Sequence, residues 1–213
     1  PRQFRSDDRP VDADEAVEFN MYAEAGGPRD ERRFKLYTRG PLSLTRVLPV
    51  FTHMGVEVID ERPYGLRRAD GVNVQIYDFG LRAPSAALWG EGAEREPVRL
   101  RFQEAFSAVW SGRAESDGFN ALVLQAGLDW REVLVLRALA KYLRQTQSTF
   151  SQDYVESALS VNAGIARDLV ELFAARMDPA RYAALPGSER TAAAQAVVER
   201  ITDALVQVQS LDH

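Results

Sequence analysis

Two periodicities, met one after the other along the chain, predict an α+β protein: a four-stranded antiparallel sheet followed by an all-α helical bundle. Up to about residue 95, apolar and polar side chains alternate with period two; beyond it, apolar positions recur every three to four residues. The turn-rich links "EAGGPRDE" and "RRADG" join strands one to two and three to four as hairpins. The pattern divides the chain into an α+β module over 1–95 and a helical domain over 96–213.

Strand one is read from Val17, Phe19 and Met21, which alternate with Glu18, Asn20 and Tyr22. Strand two sets Phe34 and Leu36 against Arg33, Lys35 and Tyr37. Strand three sets Val56 and Val58 against Glu57, and strand four sets Val72, Val74 and Ile76 against Asn73, Gln75 and Tyr77. One polar face per strand means a sheet covered on one side only. Between strands two and three, Leu44, Val47, Leu48 and Phe51 form one helical stripe, with Ser43 as N-cap, Gly55 as the stop and Pro49 as a source of bending. A right-handed crossover from strand two to strand three leaves room for strand four between them, giving the order one-two-four-three. This is a ferredoxin-like sheet whose edge strand has moved to the start of the chain.

After the small-residue loop "APSAALWGEGAEREP", the residues Val98, Phe102, Ala105, Phe106 and Val109 form a helical stripe. Asp117 caps a short helix ending at Gly127, and Asp129 with Glu132 makes a capping-box pair for a helix through about Gln145. Further helices start at Ser151, Asn162 and Ser188, the last after Pro179 and Pro186.

The composition removes several functions. A net charge of −5 argues against a nucleic-acid partner. The absence of cysteine excludes disulfides and thiolate chemistry and fits a cytoplasmic location. No apolar run is long enough to span a membrane. There is no phosphate loop or dinucleotide fingerprint. His53 and His213, the only histidines, are too few and too distant for a zinc site. Asp60 and Glu61 read either as acid/base carboxylates or as charges that blunt an edge strand. Arg137, Lys141 and Arg144 share one helix face, either solvated or set against an acidic surface of another domain.

The stretches "RFKLYTRGPLSLTRVLPVFTHMGVEVIDERPY", "FQEAFSAVWSGRAESDGFNALVLQAGLDWREVLVLRALAKYLRQT" and "FSQDYVESALSVNAGIARDLVELFAARMDP" resemble, in the same order, the large NAD-specific glutamate dehydrogenases of bacteria. The resemblance covers roughly 34–179. It implies an ACT-like module and the helical segment after it, taken from a multidomain polypeptide in which glutamate is oxidised to 2-oxoglutarate and ammonia. The glycine-rich lysine motif and the dinucleotide-binding fold of that family are not in this sequence. The resemblance therefore implies no catalytic residue, no metal and no cofactor here, with NAD bound by the parent's catalytic domain.

It further implies a regulatory or assembly role. Partners would be other domains of the same polypeptide and further copies within a homo-oligomer, with an amino acid as a possible effector. In ACT modules the first strand-to-helix turn often contacts such effectors, and here it carries Arg39, Gly40, Pro41 and Ser43. Ordinary turn and cap roles explain the same residues. The candidate surface toward other domains comprises Trp110, Asp117, Phe119, Asn120, Arg137, Lys141 and Arg144. A stand-alone amino-acid sensor and a purely structural spacer are the alternatives.

Overall fold

The computed structural model describes residues 18–67, 69, 71, 73–146, 149–179 and 186–208. Val17, Val72 and His213 lie outside them. Strands β1 (Glu18–Tyr22), β2 (Glu31–Thr38), β3 (Glu57–Arg67) and β4 (Asn73–Arg82) form one antiparallel sheet in the order β1-β2-β4-β3. Helix α1 (Leu44–His53) connects β2 to β3 and ends before Gly55, whose φ of 78° a residue with a Cβ rarely adopts. After β4 come two short 3-10 turns (Ala86–Trp89 and Gly92–Glu94), then α2 (Arg95–Trp110). A third such turn (Gly118–Ala121) leads into α3 (Leu122–Gln125), followed by α4 (Trp130–Gln145), α5 (Gln152–Val161), α6 (Ala163–Met177) and α7 (Gly187–Leu205).

One face of the sheet is apolar because Met21, Phe34, Leu36, Phe79 and Leu81 all point to it and are buried under α1 and α2. Phe34 is the centre, with ring centroids 5.3 Å from Phe51 of α1 and 4.8 Å from Phe106 of α2. Phe106 also stacks on Phe51 at 5.1 Å and on Trp110 at 5.8 Å. The same cluster continues through Phe119, Leu122, Val133 and Leu136 to Ala166 and Val170 of α6, so one core joins the sheet to the helices up to α6. Helix α2, on the helical side of residue 95, packs directly on the sheet through Phe102 and Phe106.

Three local readings need correction. In β4 the core face is Tyr77, Phe79 and Leu81, the opposite parity to Val74 and Ile76. Ile76 is registered between Tyr37 and Tyr64 on the uncovered face. The stripe of α1 is Val47, Val50, Phe51 and Met54, while Leu44 is exposed. Ser43 stands at the N-cap of α1, but its hydroxyl bonds the Thr45 hydroxyl (2.8 Å) and no backbone N–H. By contrast, Asp129 accepts from the Arg131 and Glu132 amides (both 2.8 Å) and Glu132 accepts from the Asp129 amide (2.8 Å), a complete capping box. Ser151 caps α5 by accepting from the Tyr154 amide (3.1 Å).

Candidate functional site

The turn after β2 is held from within the chain. The Thr38 hydroxyl donates to the Gly40 carbonyl (2.6 Å), and the Leu42 amide donates to the Tyr77 hydroxyl (2.9 Å), which in turn donates to Gln75 Oε1 (2.6 Å). Arg39, Pro41 and Ser43 are exposed. Gly40 has no positive φ, and a Cβ there would meet nothing within 4 Å. A groove between α1 and the edge strand β3 begins at Leu44, one residue beyond the turn.

Most of the second group of sequence candidates is internal. Trp110, Phe119, Asn120 and Arg137 are buried in this chain, so their side chains present little surface to another domain. Asp117 precedes the 3-10 turn without capping it. Its two carboxylate oxygens instead accept from Arg137 Nε and Nη2 (both 2.7 Å). Arg137 Nη2 also donates to Asn120 Oδ1 (2.9 Å), and the Asn120 amide group donates to the Glu115 carbonyl (2.9 Å). The guanidinium lies 5.8 Å from the Phe119 ring. Helix α4 is thereby riveted to the 115–120 segment. Lys141 pairs with Glu115 at the surface, and Arg144 is exposed.

A second internal cluster occupies the outer face of the sheet. Arg33 reaches across Gly80 from β2 to β3: it pairs with Asp60, donates from Nε to Asp78 Oδ1 (3.0 Å) and from Nη2 to the Asp78 carbonyl (2.6 Å). Tyr22 donates to Asp78 Oδ2 (2.9 Å). A Cβ on Gly80 would come within 2.7 Å of Asp60 Oδ1 and 2.8 Å of Arg33 Nη1, so a side chain there would displace the crossing pair. Burial alone would raise the Asp60 carboxyl, but the hydrogen bond and charge of Arg33, with Arg62 behind them, hold it below the ordinary carboxylate range. Arg33 therefore ties three strands together, through Asp60 of β3 and Asp78 of β4. Glu61, one residue on, faces the opposite side, in register with Phe79, and one of its carboxylate oxygens is buried without a hydrogen bond. The two do not form an acid/base pair. His53 Nδ1 lies 2.9 Å from Ser116 Oγ, far from any carboxylate cluster, and no group of His, Asp and Glu able to hold a metal ion occurs among the described residues.

The reading from sequence overlooked a cavity of about 270 Å³ between the β1–β2 turn, Trp89 and the start of α2. Four arginines (Arg29, Arg32, Arg95, Arg99) and three glutamates (Glu24, Glu91, Glu96) line it. The signal was present in "ERRFKL": Arg32 has the same parity as Phe34 and Leu36, so a charge occupies an inward position.

In fold, then, the chain is an ACT-like α+β module continued by a helical segment, held by internal ion pairs. Residues 16–94 match the family model of the glutamate dehydrogenase ACT3 domain, and residues 114–179 match that of glutamate dehydrogenase helical motif 3. The NAD-specific glutamate dehydrogenase of Mycobacterium tuberculosis is 44% identical over 169 residues, which are 79% of this chain and 10% of that protein. The corresponding enzymes of Halomonas elongata and Pseudomonas aeruginosa are 43% identical over 147 residues and 40% identical over 174 residues. These cover 68% and 81% of this chain, and 9% and 10% of the respective proteins. The chain belongs to the glutamate dehydrogenase family, as its ACT3 and helical motif 3 segment. It spans about a tenth of the length of the curated relatives it matches. Among the described residues no helix is long and apolar enough to cross a membrane.

Proposed function

We propose that this chain is a non-catalytic regulatory or assembly segment of a cytoplasmic NAD-specific glutamate dehydrogenase. The parent enzyme would oxidise glutamate to 2-oxoglutarate and ammonia, with NAD bound by a catalytic domain elsewhere in the polypeptide. The observation that carries this reading is the continuous core from the sheet to α6, which holds the two matched segments in the family's order as one body. Its buried charges are spent on bracing. Arg137 holds Asp117 and Asn120, and Arg33 holds Asp60 and Asp78. A group so engaged is poorly placed to move protons or bind substrate. The partners of the segment would be other domains of the same chain and further copies in a homo-oligomer.

Two measurements test this. The purified segment, incubated with glutamate and NAD, should form no NADH above a matched blank; formation proportional to added segment would refute the non-catalytic reading. Deleting the segment from a full-length parent should alter assembly or effector response; an enzyme unchanged in both would reduce the segment to a spacer. The turn at Arg39 to Ser43 fits a corner of the scaffold better than an effector contact, since the Leu42 amide is already bonded to Tyr77.

A further inference from the structure

Among the described residues, the arginine-lined cavity has more cations than anions to pair them. Arg99 and Glu96 neutralise each other through two hydrogen bonds (2.8 and 2.5 Å), and Glu24 is engaged by Arg62 at 3.6 Å. That leaves Arg29, Arg32 and Arg95, none of which has an ion pair among the described residues, against Glu91 alone. Arg32 is the inward-facing member. It rises from an inward-facing register position beside Leu81, half-buried, with its guanidinium 5.4 Å from the Trp89 ring centroid. Only Nη1 is used, donating to the carbonyls of Arg29 (3.0 Å) and Glu31 (2.6 Å); Nε and Nη2 make no hydrogen bond among the described residues. Burial first, and then the like charge of Arg95, push the Arg32 guanidinium below its ordinary range. An inward arginine, with two nitrogens unbonded among the described residues and set against a second arginine, is placed to receive an anion.

We propose that this cavity binds a small carboxylate-bearing organic anion. Arg32 and Arg95 grip its carboxylate, and Ala23, Pro28 and Ala86 form the apolar wall against its carbon body. A guanidinium with two free N–H groups offers the bidentate geometry that carboxylates take. The α2 helix starts at Arg95, and its dipole adds a positive end on the same side. The apolar wall selects an organic anion over an inorganic one. The site lies within this chain and does not depend on the proposed role in a parent enzyme.

The test is titration calorimetry on the whole 213-residue chain at fixed ionic strength. The probes are succinate, its neutral diamide and inorganic phosphate. Saturable millimolar binding of succinate is expected, with none of the diamide. Arg32→Gln and Arg95→Gln should each weaken succinate by roughly tenfold or more, the scale of a lost charge-assisted hydrogen bond. Arg144→Gln, on the exposed face of α4, should leave it unchanged. Arg95 is exposed, so its variant keeps the test valid if Arg32→Gln fails to fold. The proposal is overturned if succinate shows no saturable binding, if phosphate binds and succinate does not, or if Arg95→Gln binds succinate as the parent sequence does.

Discussion

Replacing Asp117 by alanine separates two accounts of the same residue. As a helix cap it would contribute about 1 kcal/mol. As the partner of a buried arginine it contributes far more, because its loss strands a charge. The Arg137 side chain is 3% exposed and that of Asp117 is 12% exposed, and two 2.7 Å hydrogen bonds join them. Without the carboxylate the guanidinium keeps only Asn120 Oδ1 at 2.9 Å and the Glu115 carbonyl at 3.4 Å, and its Nη1 already lacks a partner. Breaking a buried pair from one side costs about 3–5 kcal/mol. The slight exposure of Asp117 admits water to the gap, which favours the lower end. With a urea slope of about 2 kcal/mol/M, a loss of about 3 kcal/mol moves the unfolding midpoint down by about 1.5 M. Adding Arg137→Met should recover part of that loss, since removing both charges leaves nothing uncompensated. A midpoint shift of about 0.5 M or less for Asp117→Ala, with no recovery in the double variant, would refute the brace and restore the cap.

Gly80→Ala should destabilise by about 1–3 kcal/mol, because the methyl group meets Arg33, Asp60 and Ile59 within 3 Å; an unchanged melting temperature would contradict that packing. Asp60 has a lowered folded-state pKa, so its contribution is present above the unfolded value of about 3.9 and is lost as pH falls through the folded value. Asp60→Asn should therefore be less stable than the parent near neutrality and lose less stability on acidification; parallel acid titrations of unfolding free energy would exclude this. Asp129→Ala should cost about 1–2 kcal/mol through the capping box, whereas Ser43→Ala should stay within about 0.5 kcal/mol. Equal losses in denaturant midpoint would show that Ser43 caps α1 in solution.

Much of the architecture was legible because short-range rules agree with the long-range ones. The strand order followed from one helical crossover and two hairpins, and the capping box of α4 from Asp129 and Glu132 three residues apart. The parity of β4 was not. Its sequence carries apolar side chains on one face at Val74 and Ile76 and on the other at Phe79 and Leu81, and period two cannot say which half of a long strand lies under helices. The bulge between Val58 and Asp60 is equally silent in sequence, yet it brings Asp60 opposite Gly80 and so within reach of Arg33. Asp117 and Arg137 are separated by 20 positions, so only the tertiary fold reveals that they neutralise each other. Cap propensity is a local property, and it assigned Asp117 a cap that its side chain, turned to Arg137, does not make. The arginines of the cavity come from β2, its preceding turn and α2, three stretches with no shared motif.

Helix α2 falls between the two matched family segments, which end at 94 and begin at 114. Yet it supplies Phe102, Phe106 and Trp110 to the centre of the core. Cutting the chain at 95 would strip the lid from Phe34 and Phe51, and cutting at 113 would leave Phe119 and Leu122 without their neighbours. Neither matched segment is a cassette that recombination can move alone. Because close-packed interiors transmit displacement instead of absorbing it, a push on α4 or α6 is passed to the sheet through the side chains of α2.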